Sequence, residues 1–600
     1  MAVSYPPRRK VEKGQTWNAE SVFKNHKAWD EEVRNIVAEI EPFKKFKGRL
    51  GEGPAVLLEA LAGLEGLMVR AQRVFMYAGF ASAVDTTDQV AAGMQSQAGG
   101  MFGQVVAAVS FVRPELLAIG KMRLEEWMRQ DSKLAVYAHF FDDLFRKQDH
   151  VRSGEVEELL GMLADPFQGP ASTSSLIANA DFQFAPAVTS QGKKRVVTQS
   201  SIHEILNQAD RKARQTAWEH YMDRHLEFKN TLASNLTTSI KANVFYSRAR
   251  KHESSLAASL FEQNVPVQVF HNLIDTFRKH LPVWHRYFEI RRRALGQRDI
   301  AYYDMWAPLA KKRIKLSFEQ AVDMISEGLA PMGKEYVDVL RKGCLEERWV
   351  DWAPNKGKQN GAFSYGAPGT HPFIMMSFTN EYASLSTLAH ELGHSMHSYL
   401  TWKNQPLAYA DYSLFVAEVA SNFHQAMVRG HLLKTVKDPN FQITLIEEAM
   451  SNFFRYFFQM PTLARFELET HQRVEKGEAL TADSMIELMA DLFAEGFGPK
   501  VKVDRPRVGM VWSTFGHLFQ DYYVYQYATG ISGAHALSGR ILRGERGAVE
   551  DYLGFLRSGG SMYPLDVLRK AGVDLTTPKP VEETFAVMAS YVDRLEELVR

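Results

Sequence analysis

His390, Glu391 and His394 form an HExxH pattern, His390-Glu391-Leu392-Gly393-His394. On a helix, residues i and i+4 share a face, so both imidazoles can reach one metal ion. The glutamate beside the first imidazole is placed to hold and deprotonate a metal-bound water. With 19 histidines in the chain, the pattern arises by accident in roughly four of a hundred such chains. Its surroundings therefore have to decide whether it is a site.

A zinc catalyst needs three protein ligands and one open position. His397 lies at i+7 from His390, about 10 Å along the helix axis at 1.5 Å per residue, which is far for a shared ion. Glu418 is the other candidate. It sits in an apolar, helix-patterned segment among the small residues Ala417, Ala420 and Ser421, and Ser421, Asn422 and Gln425 continue its polar face. A carboxylate buried there without a cation is costly, so Glu418 is favoured over His397.

The elements that must hold these residues read mostly as helix. Apolar residues recur at three- and four-residue spacings over 30–46, 55–80, 114–128, 149–162, 202–228, 317–329 and 443–458, with charges opposite. The motif helix runs from about residue 384 to 399, with Leu385, Leu388, Leu392, Met396 and Tyr399 on its apolar side. Gly393 costs that helix about 1 kcal/mol relative to alanine, which a backbone or ligand passing close by would explain. Residues 165–201 are the weakest for helix, and a boundary there gives an N-terminal helical domain, 1–200, and a catalytic region, 201–600. Residues 349–382 are also rich in glycine and proline. Within them His371-Pro372-Phe373-Ile374-Met375-Met376-Ser377-Phe378 reads as a short strand, and Pro372 suggests an edge position. A small β-sheet beside the HExxH helix would resemble the zincin-like arrangement of zinc peptidases with that motif, in which an extended peptide pairs with the edge. His371 and Phe373 are then candidate substrate contacts, and the loop 361–369, including Gly366, is a candidate lid.

Bulk properties narrow the partners. Lys and Arg total 71 against 70 Asp and Glu, a formal charge of +1, so nucleic acid and anionic membranes are poor expectations. Hydrophobic residues at 45% and charged residues at 24% are those of a soluble globular chain. No uninterrupted apolar run reaches the length of about 18 residues that crosses a bilayer. The amino terminus, residues 1–10, has no apolar signal region. Cys344 is the single cysteine, so no internal disulfide forms, and a reducing cytoplasmic location is expected.

The block His390–Glu391–Leu392–Gly393–His394–Ser395–Met396–His397 is followed by Phe415-Val416-Ala417-Glu418-Val419-Ala420-Ser421, whose Glu418 lies 24 residues after His394. A third block runs His517-Leu518-Phe519-Gln520-Asp521-Tyr522-Tyr523-Val524-Tyr525-Gln526-Tyr527-Ala528-Thr529-Gly530. Together they resemble the thimet-oligopeptidase-like zinc peptidases, most closely the bacterial oligoendopeptidase F branch. Tyr77-Ala78 and Asp85-Thr86-Thr87-Asp88 add a fainter match. The resemblance implies one zinc ion per chain on His390, His394 and Glu418, with Glu391 as general base. It places His517, Tyr522 and Tyr525 on the substrate side, with Tyr523 the rival tyrosine for the oxyanion. It also implies a large helical ellipsoid with a deep central channel that admits short unfolded peptides. Relatives usually carry Glu where this chain has Gln425, so a charge is missing from the group that would orient a ligand histidine.

The expected activity is zinc-dependent hydrolysis of internal bonds in short oligopeptides. A carboxypeptidase or dipeptidyl carboxypeptidase with the same centre differs only in capturing a free carboxylate. A non-catalytic peptide-binding protein is a third possibility, against which the intact Glu391 argues. Oligomeric state is not written in the sequence.

Overall fold

The structure, a computed structural model, describes residues 5–600; residues 1–4 of the stretch read for a signal lie outside it. The chain is mostly α, with three small sheets among the described residues. Its contacts divide it into two discontinuous units instead of at one boundary near residue 200. The first comprises Met1–Asp149, Lys315–His431 and Arg540–Gly572, and the second His150–Ile314, Leu432–Gly539 and Val573–Arg600.

The first unit begins with three helices, α1 (His26–Phe43), α2 (Pro54–Val84) and α3 (Gln89–Val109). Asn25 caps α1 by accepting from the Ala28 N–H at 3.0 Å, satisfying one orphan donor of the first turn. Trp29, Val33, Ile36, Ile40 and Phe43 repeat at alternating spacings of four and three and are buried. Burying each such side chain stabilises the fold by roughly 1.5–3 kcal/mol. The indole N–H of Trp29 donates to the Val74 carbonyl at 2.9 Å, which keeps a polar atom satisfied inside the core. Asp88 caps α3. The helical run Gln89–Ile119 is long and apolar enough to cross a membrane by length and composition. In this fold α3 packs on α1 and α2 through Ala91, Met94, Ala98, Met101, Val105 and Ala108.

The same unit holds the sheet that lies nearest the motif in sequence. Its strands are β1 (Val350–Asp351), β2 (Phe363–Tyr365) and β3 (Phe373–Met375), in the order β1-β3-β2. β3 runs parallel to β1 and antiparallel to β2, with Ser364 opposite Ile374. The expected strand is thus present but central, not at the edge. Pro372 precedes the ladder, so its missing N–H costs no pairing. Phe373 and Met375 pack into a cluster with Trp17, Met76 and Phe80. Lys358 pins the sheet from inside by donating to the carbonyls of Asp351, Ala353 and Met376 at 2.6–2.9 Å and to the Asp351 carboxylate at 2.7 Å. β2 is the open edge. Two helices follow, α4 (Tyr382–Asn404) and α5 (Leu414–Thr435).

The second unit is built on an aromatic core in which Trp284, Phe288, Phe454, Phe458 and Phe497 meet at ring separations of 5.1–6.4 Å. Its helices include α6 (Met460–Glu475) and α7 (Tyr525–Leu542). The segment read as helix-poor, 165–201, is helical as far as Asp181 and then forms a hairpin of Ala187–Val188 with Lys194–Arg195.

Candidate metal centre

His390 and His394 stand one turn apart on α4, their ring centroids 4.9 Å apart and their planes nearly perpendicular. α5 brings Glu418 to them, with its Oε2 3.5 Å from His390 Nε2. One ligand atom from each of the three lies within 4.8 Å of the others, and this is the one such group among the described residues. Two imidazoles and a carboxylate converging in this way suit zinc. The close approach of the helices depends on Gly393. A Cβ there would lie 2.6 Å from the Ser421 Cα and collide with the Ala420 carbonyl. Only glycine allows α5 to carry Glu418 so near, which accounts for the helix-weakening residue inside the motif.

Two of these three side chains are held from behind. The ring of His390 donates from Nδ1 to Gln425 Oε1 at 3.1 Å, leaving Nε2 free for a metal. Gln425 in turn donates to Ser386 Oγ at 2.8 Å. Ser421 donates to Glu418 Oε2 at 3.2 Å. Burial pushes His394 down to about 4, against the opposing pull of Glu418, so its ring is neutral and able to ligate. Burial raises the Glu391 carboxyl to about 7, while His390 and the Ser364 backbone pull the other way and Glu418 adds to the rise. A carboxyl poised near neutrality can take a proton and release it. Ser364 lies on the open edge strand β2, and its Oγ meets Ser395 of α4 at 2.8 Å. The edge that could pair with a peptide therefore touches the motif helix itself.

His397 is not part of this group. It is buried and stacks on Tyr412 at 3.6 Å.

The third block belongs to the second unit. It is not one helix: a short 3-10 turn, Gly516–Phe519, is followed by a bend at Tyr522 with φ +45° before α7 starts at Tyr525. Tyr522 and Tyr525 are 1% and 3% exposed, their rings edge-on to Phe270 at 5.8 and 5.5 Å. Tyr523 and Tyr527 instead flank His517 at 5.9 and 5.8 Å, and their hydroxyls meet at 3.2 Å.

Residues 205–587 match the sequence model of Peptidase family M3, and residues 115–184 match that of Oligopeptidase F. The chain belongs to peptidase family M3. It is 36% identical to "Oligopeptidase PepF" of Bacillus subtilis over 99% of this chain and 88% of that one. It is 32% identical to "Group B oligopeptidase PepB" of Streptococcus agalactiae over 99% and 98%. Among solved structures, a putative peptidase from Chlamydophila abortus superposes with a TM-score of 0.89 at 29% identity, covering 99% of this chain and all of that one. Oligoendopeptidase-F from Enterococcus faecium gives 0.75 at 29% identity, covering 95% and 98%. The chain is accordingly a metallopeptidase enzyme.

Several residues expected at the site of this M3 peptidase are used elsewhere. His371 lies parallel to the Trp349 ring at 5.9 Å and meets Ser21 Oγ through Nε2 at 3.3 Å, while Phe373 is fully buried. Phe373 opens the central strand and His371 precedes it, and each packs against its neighbours. Gly366 is buried, and a Cβ there would come within 2.5 Å of the Trp402 ring. Arg73 ties the same loop down by donating from Nε to the Pro368 carbonyl at 3.0 Å. Gly369 has φ +83° and the Arg73 guanidinium against it. Alanine at Gly366 or Gly369 would disturb this packing whether or not the loop closes over a substrate. Sequence reasoning missed Ser364 and Tyr527. Nothing local marks Ser364, whereas the i+4 spacing of Tyr523 and Tyr527 was a usable sign that they meet.

Proposed function

We propose that this metallopeptidase is a zinc-dependent endopeptidase that hydrolyses internal bonds of short, unfolded oligopeptides. The observation that carries the reading is the convergence of His390, His394 and Glu418 beside the buried, near-neutral carboxyl of Glu391. When bound, a zinc ion polarises the scissile carbonyl and acidifies water. Glu391 accepts a proton from the attacking water and delivers it to the departing amine. The open edge of β2 offers backbone groups to an extended peptide and so binds it with little regard to side chains. His517, which the family resemblance places on the substrate side, and a phenol beside it, Tyr523 or Tyr527, are the candidate donors to the oxyanion. The burial of Tyr522 and Tyr525 makes these two less suited to that role. The names of the relatives, oligopeptidase and oligoendopeptidase, support short peptides as substrates. Cys344, single and buried, fits a cytoplasmic enzyme.

The test is metal analysis with peptide hydrolysis on the native chain and on Glu391→Gln. One zinc per chain in both, and a turnover about 100- to 10,000-fold lower in the variant, is the expected result. Full activity in the variant would remove Glu391 as the base. Equal cleavage of a C-terminally amidated peptide and its free acid is expected of an endopeptidase. Strict dependence on the free acid would make it a carboxypeptidase.

A further inference from the structure

Under the turn at Tyr522 lies a buried acidic group for which the hydrolysis has no use. Glu467, on α6, is 2% exposed. Its Oε1 accepts the backbone N–H of Tyr522 at 2.8 Å, and its Oε2 has no partner. Asp521 Oδ1 also lacks a hydrogen bond, and it faces His471 Nε2 at 3.5 Å. His471 brings no charge. Its Nδ1–H donates to the Glu467 carbonyl at 2.8 Å, its Nε2 accepts from Asn243 at 3.2 Å, and burial holds it down at about 4. Glu475, the third acid, accepts from the N–H and hydroxyl of Ser255, both at 2.7 Å. The phenols of Tyr522 and Tyr525 complete the titratable surroundings. Among the described residues no lysine or arginine pairs with Glu467 or Asp521.

A carboxylate this deep, next to a second one and without a cation, is normally selected against. What it does hold is one backbone N–H, at the residue whose φ of +45° is unfavourable for any side chain but glycine's. The next residue is Tyr523, which with Tyr527 flanks His517.

We propose that Glu467 is a positioning residue for the reaction: by accepting the Tyr522 N–H it locks the left-handed turn that sets Tyr523 and Tyr527 beside His517. This rests on the reading of the chain as an endopeptidase that uses those three residues. The lock works with Glu467 neutral, since its Oε1 accepts a hydrogen bond in either state while a second charge beside Asp521 is repelled. Burial raises Glu467 well above the usual carboxylate range and Asp521 to about 7, so a proton is retained on the pair at neutral pH. Only when the pH is high enough to ionise Glu467 as well as Asp521 does repulsion between the two loosen the turn.

The test compares Glu467→Gln and Glu467→Ala in the full-length zinc enzyme. Glutamine keeps the acceptor and stays neutral; alanine removes it. We expect Glu467→Ala to lose about tenfold or more in kcat, the scale of one lost hydrogen bond, at unchanged KM and zinc content. Glu467→Gln should keep wild-type kcat near pH 6.5 and hold it to higher pH than the wild type does. Hydrogen exchange over residues 516–530 reads the turn without catalysis, and should accelerate in Glu467→Ala alone. Unchanged exchange in Glu467→Ala, or equal losses of kcat in the two variants, would overturn the proposal. Absence of peptide hydrolysis by the zinc-loaded wild-type enzyme would instead remove the hydrolytic reading and leave the exchange result standing.

Discussion

His390 is held within two long helices, backed by Gln425 and then by Ser386. His517 sits on one turn of 3-10 helix, in a segment bent at Tyr522 and pinned by one acceptor from α6. The first arrangement relies on regular backbone and on a glycine that lets the helices touch. The second relies on an irregular turn over a buried acid that has no cation beside it. Metal ligation needs fixed donor directions, which helices supply through neighbouring turns. Donors aimed at a developing charge can instead be set by a bend, at the cost of local strain. Damage to the first site should therefore be lost along with helix packing, and damage to the second should show in turnover while the fold survives.

The largest separation is expected among the tyrosines. Tyr523→Phe should lower kcat by about 100- to 1,000-fold if its hydroxyl donates to the oxyanion. Tyr525→Phe, deep against Phe270, should leave the rate within a few-fold. Zinc content should be native in both. A rate loss confined to Tyr525→Phe would return the role to the residue the resemblance first implied and place the functional phenol in the buried layer.

A packing effect should come next, at Gly393. Alanine there meets Ala420 and Ser421 backbone atoms, which cannot swing aside as a side chain can. The expected cost is about 1–3 kcal/mol, from overpacking a tight contact, read as a lower melting temperature with weaker zinc binding. Gly516, in the other segment, has nothing within 4 Å of a built Cβ, so Gly516→Ala should leave both quantities near wild type. Equal effects at the two glycines would erase the contrast between the sites.

Much of the metal site was legible because its information is local. The i, i+4 histidines, the glutamate between them and the small residues around Glu418 each carry a physical reason within a few positions. The position of β3 was not legible. Proline at the first residue of a strand is compatible with an edge, but equally with a centre when it precedes the ladder, and only the partners β1 and β2 decide. His371 and Phe373 were lost with it, since their roles depended on that edge. The burial of Tyr522 and Tyr525 was not legible for a related reason. A helical reading of the block places its tyrosines by period, whereas a left-handed residue at Tyr522 rotates everything after it. A strained turn at a non-glycine residue leaves no mark in the sequence, and neither does a discontinuous unit whose pieces lie up to several hundred residues apart.

The smallest effect tests how complete the better-ordered site is. Gln425 accepts from His390 as a glutamate would, but it adds no charge behind the ring. Gln425→Glu should tighten zinc, by up to about tenfold, the low end of what such partners contribute. Ser386 can rotate its hydroxyl to donate where it now accepts, so the exchange need not leave a polar atom stranded. Zinc dissociation constants measured by competition with a chelator would decide it. Equal values would mean that the amide already fixes the ring as well as a carboxylate could, and that orientation, not charge, is what this position supplies.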